Sequence, residues 1–401
     1  MTGPAVVPLS GAVRDYAWGS TTAVQRMLGR PVDGTRIAEL WFGAHPDDPS
    51  YCPDHGTTLE AMVAADPVGM LGPATVQALG PRLPFLVKIL AADAPLSIQV
   101  HPTREQAERG WAAEDAAGIA LTAPQRNYRD RNHKPELLVA LTEFDALCGF
   151  RPVALARQLL AALALPELDG LAGLLEGPAP LRMAFTYLLT AEDPGAVVDA
   201  VLAAAPRLGG EWAPAAAAVS HIGAHFPGDV GVVLSLLLNA VRLRPGEAIY
   251  LPAGNVHAYL RGTGVEIMAN SDNVLRCALT AKHVDVAELL RITDFTELAE
   301  PRWAPGPRGF VVPVPDFRLR ALDLDAGPDA ERGDAGPDPE LGDAGPHLVL
   351  CTAGTAEVAR GSTSVTLAPG HAAFVPAGDA PFTVRGTGTG YLAATGLPPG
   401  H

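Results

Sequence analysis

The chain has 401 residues, 48% of them hydrophobic, and a formal net charge of −15 at pH 7. Its length exceeds the roughly 100–200 residues of one domain, so two or three structural units with a large core are expected. The acidic balance argues against nucleic acid and requires a local basic cluster for any anionic substrate, and the lack of an uninterrupted apolar run of about 18 residues excludes an expected helical membrane span.

The first residues, MTGPAVVPLSGAVRDYAWGS, lack the basic start and continuous apolar stretch of a secretion signal, so a cytoplasmic location is expected. Cys52, Cys148, Cys277 and Cys351 stand far apart without a C-x-x-C pair, which points away from a disulfide framework and from a thiolate zinc site. Any metal must use other ligands.

Taken in chain order, residues 1–150 mix short apolar runs with turn signals. PFLVKILAA, LSIQVHP and ELLVALTEF read as strands. From 151 to 235 the texture becomes Ala/Leu-rich at helical spacing, in VALARQLLAALAL, LRMAFTYLLT, GAVVDAVLAAA and VGVVLSLLLNAV, and predicts a helical insertion. LRPGEAIYLPAGNVHAYLRGTGVEIMA returns to short strands separated by Pro/Gly turns. Between 325 and 346 the tetrapeptide DAGP occurs three times at a nine-residue period, a composition unsuited to a packed core, so 321–346 reads as a loop or linker.

The segment 347–401 carries an internal repeat. LRPGEAIYLPAGNVHAYLRGTG, starting at Leu243, aligns with LAPGHAAFVPAGDAPFTVRGTG, starting at Leu367, at a constant offset of 124. P-G, P-A-G and R-G-T-G coincide, while His257 meets Pro381 and Glu266 meets Gly390. The second copy keeps the turns and loses the polar side chains, so one barrel is expected to carry chemistry and the other structure. The expected fold is mainly β with a helical insertion, in two cupin-like (jelly-roll) barrel units: 1–150 with 236–320 as a discontinuous catalytic barrel, 151–235 helical, 347–401 a second, metal-free barrel.

In LSIQVHP, Gln99 and His101 stand two apart, and strand residues two apart project from one face, so both can reach one ion. Glu136 in NHKPELL and His257 in PAGNVHAY add a carboxylate and a second imidazole. Such an N/O set suits Zn²⁺, with Mn²⁺, Co²⁺ or Ni²⁺ as replacements. A lone strand histidine is more often structural than a ligand. The repeat raises the odds, because the copy without His257 keeps the neighbouring turns, but spacing alone does not bring the four side chains together.

YAWGS at 16–20, AELWFGAHP at 38–46, PFLVKILAADAPLSIQVHP at 84–102, NHKPELLVAL at 132–141 and LPAGNVHAYLRGTGVEIMANSDNVLRCALTAKHVD at 251–285 closely resemble type I mannose-6-phosphate isomerases, also called phosphomannose isomerases. The resemblance implies a cupin enzyme with one zinc per chain held by Gln99, His101, Glu136 and His257. It further implies reversible conversion of mannose 6-phosphate to fructose 6-phosphate by proton transfer between C1 and C2. Cys277, Ala278 and Ala281 depart from the pattern the family leads one to expect in SDNVLRCALTAK.

That chemistry needs an oxygen-polarising metal, a base and a phosphate anchor. Glu266 is a candidate base, with Lys134 and His133 as rivals. Arg276 is assigned beside the reacting carbons or the phosphate, because a guanidinium stays charged and presents a rigid donor fork. Lys282, Ser97 and Lys88 resemble the family's phosphate-side groups, and Tyr259 either lines the pocket or packs the barrel. Trp18 and Trp41 read as packing, His45 and His283 as structural or exposed. The partner is a small sugar phosphate, and a monomer or weak homo-oligomer is expected. An iron-dependent cupin dioxygenase, separable by oxygen consumption, and a non-catalytic sugar-binding cupin are the alternatives.

Overall fold

The computed structural model describes residues 6–325 and 345–398, so the DAGP stretch from 326 to 344 lies outside the described residues. Helix and strand shares are nearly equal, 30% and 31%, which corrects the expectation of a mainly β chain. The excess helix lies partly in the N-terminal third. Leu59–Ala65, Pro67–Leu71 and Pro73–Leu79 are short helices, and Arg104–Ala116 is a longer one opened by a reciprocal capping pair, Thr103 with Gln106. The paired sheets are antiparallel, and the chain divides into two compact units.

One unit comprises 92–264 and 271–302. Its strands obey a single alternation. Ile98 and Val100, Ala258 and Leu260, Leu275 and Cys277 turn into one apolar core, which leaves Gln99, His257, Tyr259 and Arg276 to the opposite face. The helical insertion fills the other side of that core. Val153–Leu163 buries Ala156, Leu159, Leu160 and Leu163, and Pro180–Leu189 buries Leu181, Ala184, Phe185 and Leu188, each the i, i+3, i+4, i+7 stripe of an amphipathic helix. At about 1.5–3 kcal/mol per fully buried Leu or Phe, these stripes are a major stabilising term for the sheet behind the polar face. The run VGVVLSLLLNAV, expected as helix, is helical only at Gly231–Leu234 and a 3₁₀ turn, then becomes strand Leu238–Leu243 on Phe144–Phe150. A continuous apolar run cannot be assigned by periodicity alone.

The other unit comprises 1–91, 265–270 and 303–401. Ala12–Arg14, Glu39–Gly43 and Phe85–Ala92 pair in sequence. A second sheet is built on the 14-residue strand His347–Arg360, flanked by His371–Val375 and Thr383–Ala394.

The repeat is visible in both units. Ala248–Leu251 corresponds at offset 124 to part of His371–Val375, and the R-G-T-G tetrapeptides lie within His257–Ala269 and Thr383–Ala394. Gly262 and Gly386 both have φ in the left-handed region, 128° and 152°, and a side chain on either would meet the carbonyl of Glu143 or Thr355. The strands thus run unbroken through the R-G-T-G segment in both copies.

Candidate metal and active site

His257 is the first residue of strand His257–Ala269 and lies directly opposite Gln99 of Ile98–Val100 on one side and Cys148 of Phe144–Phe150 on the other. Arg276 of Leu275–Ala278 is opposite Gln99 on that strand's far edge. Arg276, Gln99 and His257 therefore form one row across three strands, on the face turned away from the helical core. His101 follows Val100, and Glu136 begins strand Glu136–Ala140, paired with Leu251.

The ligand atoms of His101, Glu136 and His257 all lie within 4.8 Å of one another, in a group able to hold a metal ion. All three side chains are buried. His101 Nε2 is 3.3 Å from Glu136 Oε1, and His257 Nε2 is 3.4 Å from Glu136 Oε2. The second ring nitrogens fix the tautomers, because a carbonyl can only accept: His101 Nδ1 donates to Asn273 O at 2.7 Å and His257 Nδ1 to Asn255 O at 3.0 Å. In the neutral rings each Nε2 therefore turns its lone pair toward the carboxylate. Burial pushes the His101 imidazole down to about 4, and Lys134 adds to this while Glu136 opposes it. Burial raises the Glu136 carboxyl, but the positive field of the site, Lys134 included, outweighs it and holds Glu136 well below the usual carboxylate range.

His101 Nε2 and Glu136 Oε2 have no hydrogen-bond partner although both are buried. The neutral His101 lone pair aimed at an ionised carboxylate is an acceptor facing an acceptor, an arrangement that a cation between them resolves. Gln99 completes the set: its Nε2 is 3.4 Å from His257 Nε2, and its Oε1 accepts from Ser97 Oγ at 3.4 Å. Exchanging amide oxygen and nitrogen, which leaves the frame unmoved, turns Oε1 toward the same centre while Ser97 accepts from the amide. The residues present fit a divalent ion with N/O ligation.

The remaining sequence candidates are distributed as follows. Lys134 Nζ is 3.5 Å from Glu136 Oε1. Lys282 has its ammonium pKa lowered, first by Arg276, then by burial and Arg129, so three cations form a basic cluster in this unit. His133 contacts Arg104 at 3.1 Å. Tyr259 is buried and packs edge-on against Phe144, with ring centroids 5.4 Å apart. In the other unit, Lys88 Nζ is 2.9 Å from Glu266 Oε2 and 3.7 Å from Glu39 Oε1. Glu39 also accepts from Trp41 Nε1 at 2.8 Å, and Trp41 packs against Lys88, Arg14 and His45. His283 is exposed.

Sequence reasoning missed Asn255 and Asn273, whose carbonyls orient the two histidines, and Arg129 in the basic cluster. The available signals were N-V-H, where Asn255 precedes His257 by two, and S-D-N just ahead of Arg276.

Two imidazoles, a carboxylate and an amide drawn together, with Arg276 in the same row as Gln99 and His257, have the layout of a metal-enzyme site. Comparison with known proteins gives the class a family. Residues 6–153 match the family described as phosphomannose isomerase type I, catalytic domain. The mannose-6-phosphate isomerase of Escherichia coli K12 is 37% identical over 395 residues, covering 95% of this chain and 97% of that protein, and the rat protein of the same name is 33% identical over 365 residues, covering 81% and 83%. A zinc-bound crystal structure of mannose 6-phosphate isomerase superposes with a TM-score of 0.86 at 35% identity, over 98% of this chain and all of that one. A variant of phosphomannose isomerase from Salmonella typhimurium gives a TM-score of 0.87 over the same shares. The chain is an isomerase and belongs to the type I phosphomannose isomerase family.

Proposed function

We propose that the chain interconverts mannose 6-phosphate and fructose 6-phosphate with one zinc held by Gln99, His101, Glu136 and His257. The observation that carries this reading is the pair of histidine lone pairs facing the buried Glu136 carboxylate, in a chain whose full-length relatives bear the isomerase name. When bound, the ion supplies polarisation of the sugar's C1 and C2 oxygens and stabilises negative charge developing there.

The reaction breaks the C2–H bond of the open-chain aldose, forms a C1–H bond, and moves the O2 proton to O1, passing through an enediol-type intermediate. Glu266 is the base that carries the proton between carbons, and its support is a buried carboxylate ion-paired to Lys88. Lys134 donates toward the substrate oxygens, and its support is the ammonium held beside Glu136. Arg276 and Lys282 hold the anionic end of the substrate, a role supported by their mutual proximity in a chain that is otherwise acidic. Ser97, Lys88, Tyr259 and His133 complete substrate binding in this reading.

The same reading assigns two cupin-type barrels, 1–150 with 236–320 and 347–401, with 151–235 inserted; the repeated turns and glycine conformations support it. A cytosolic location is supported by four free, buried cysteines. The deciding experiment is an assay with mannose 6-phosphate coupled to fructose 6-phosphate detection, before and after chelation and zinc add-back. Activity that is lost and restored supports the reading; zinc-replete protein without turnover sinks it.

A further inference from the structure

The loop 127–132 and the turn 271–273 are joined by hydrogen bonds that the isomerase reading does not use. The Asp130 carboxylate accepts from Ser271 Oγ at 2.9 and 3.0 Å, from the Asp272 and Asn132 amides at 2.7 Å each, and from Asn273 Nδ2 at 3.2 Å. The Asn273 side chain is equally occupied. Its Oδ1 accepts from the amides of Arg129 at 2.7 Å and Asp130 at 3.2 Å, and its Nδ2 also donates to the carbonyls of Asp130 at 2.9 Å and Asn132 at 2.8 Å. Asn273 and Ser271 are buried, with 0% and 1% exposure. An amide offers two donor hydrogens and two acceptor lone pairs, and all of Asn273's have partners.

We propose that Asp130, Ser271 and Asn273 form a clasp that positions His101 and sets how long the metal stays bound. The inference rests on reading His101 as a ligand. Asn273 presents its own carbonyl to His101 Nδ1 at 2.7 Å, so it fixes the ring's tautomer and the direction of Nε2. A carbonyl whose side chain is held by this many bonds cannot drift without leaving buried polar groups unpaired, at about 1–3 kcal/mol each. The clasp also holds Asn132, four residues before Glu136, and ends three residues before Arg276. One half-buried carboxylate is therefore the common reference for a histidine ligand, for the segment entering the carboxylate ligand, and for the strand bearing the substrate-side arginine.

The test uses the full-length zinc-loaded protein and follows release of zinc to a chromogenic chelator, well below the thermal midpoint. Asn273→Ala is expected to release zinc about 10–100-fold faster than wild type, with kcat recovering to within a few-fold at saturating zinc. Ser271→Ala removes one hydroxyl and should shift release in the same direction by a smaller factor; it carries the test if Asn273→Ala does not fold. A role confined to fold stability would lower Tm and leave zinc release at the wild-type rate, and that result overturns the proposal. If His101→Ala retains zinc as wild type does, the ligand reading fails first and the clasp with it.

Discussion

Gln99 and His257 stand directly opposite each other on adjacent antiparallel strands, with Gln99 Nε2 3.4 Å from His257 Nε2. Opposed residues share a face of the sheet, so the register itself delivers an amide and an imidazole to one point. His257→Ala removes one of two imidazoles facing Glu136 and is expected to abolish both stoichiometric zinc and isomerisation. Metal analysis beside the coupled assay checks this. A variant with full metal and normal turnover would remove His257 from the ligand set.

Arg276 extends the same row on the other side of Gln99 and shares its positive field with Lys282 and Arg129. A charge-assisted hydrogen bond contributes about 1.5–3 kcal/mol, so Arg276→Ala should lower kcat/KM about 10–100-fold while zinc content stays at the wild-type level. Arg276→Lys restores charge without the planar fork and should recover only part of the loss. Loss of zinc from either variant would contradict the division of roles between this residue and the ligands.

Glu266 is paired at 2.9 Å with Lys88, itself shared with Glu39. Glu266→Gln keeps the size of the side chain and removes its capacity to accept a proton. We expect kcat to fall by at least about 10²-fold, the usual scale for loss of a general base, with zinc retained. Exchange of the C2 hydrogen of the sugar with solvent deuterium, followed by NMR, should fall in parallel. Exchange at the wild-type rate would assign the base elsewhere, with Lys134 and His133 next in line.

The shared face of Gln99 and His101 was legible because they fall two apart in a run whose alternate members, Ile98 and Val100, are apolar. The loss of His257 from the repeat's second copy was legible for a similar reason, since the surrounding turns gave an internal reference. Register was not. Nothing in the spacing of Gln99, His257 and Arg276 says that they align in one row, because strand pairing across long chain separations is decided by packing and turn geometry. Short capped helices such as Pro67–Leu71 bury too few residues to show a period, and the clasp around Asp130 uses backbone groups that no side-chain pattern reveals.

Phe185, on helix Pro180–Leu189, meets Phe150 of strand Phe144–Phe150 and Phe295 with ring centroids 5.7 and 5.6 Å apart. The helical insertion and the sheet are thereby one core in this unit. Truncating a fully buried phenylalanine typically costs about 3–5 kcal/mol through lost transfer energy and the cavity left behind. Phe185→Ala should therefore lower the unfolding midpoint in urea by that equivalent. A cost below about 1 kcal/mol would mean that the insertion is packed independently of the strands.

His347 tests the other unit through acid stability. Its ring is buried, with Nε2 unpartnered, beside Phe382 at 5.0 Å. Burial first, then the charges of Arg318 and Arg360, push its pKa from 6.5 down to about 3. The unfolded chain therefore binds a proton in the interval from about 6.5 to 3 that the folded chain refuses. Since stability rises with pH wherever the unfolded state holds more protons, this group's contribution is complete above 6.5 and is lost progressively as pH falls toward 3. The slope from this one histidine is at most about 1.4 kcal/mol per pH unit. His347→Gln removes the titration, so its urea midpoint should fall less steeply between pH 6.5 and 5 than that of the wild type. Equal slopes would show that folding does not lower the His347 pKa.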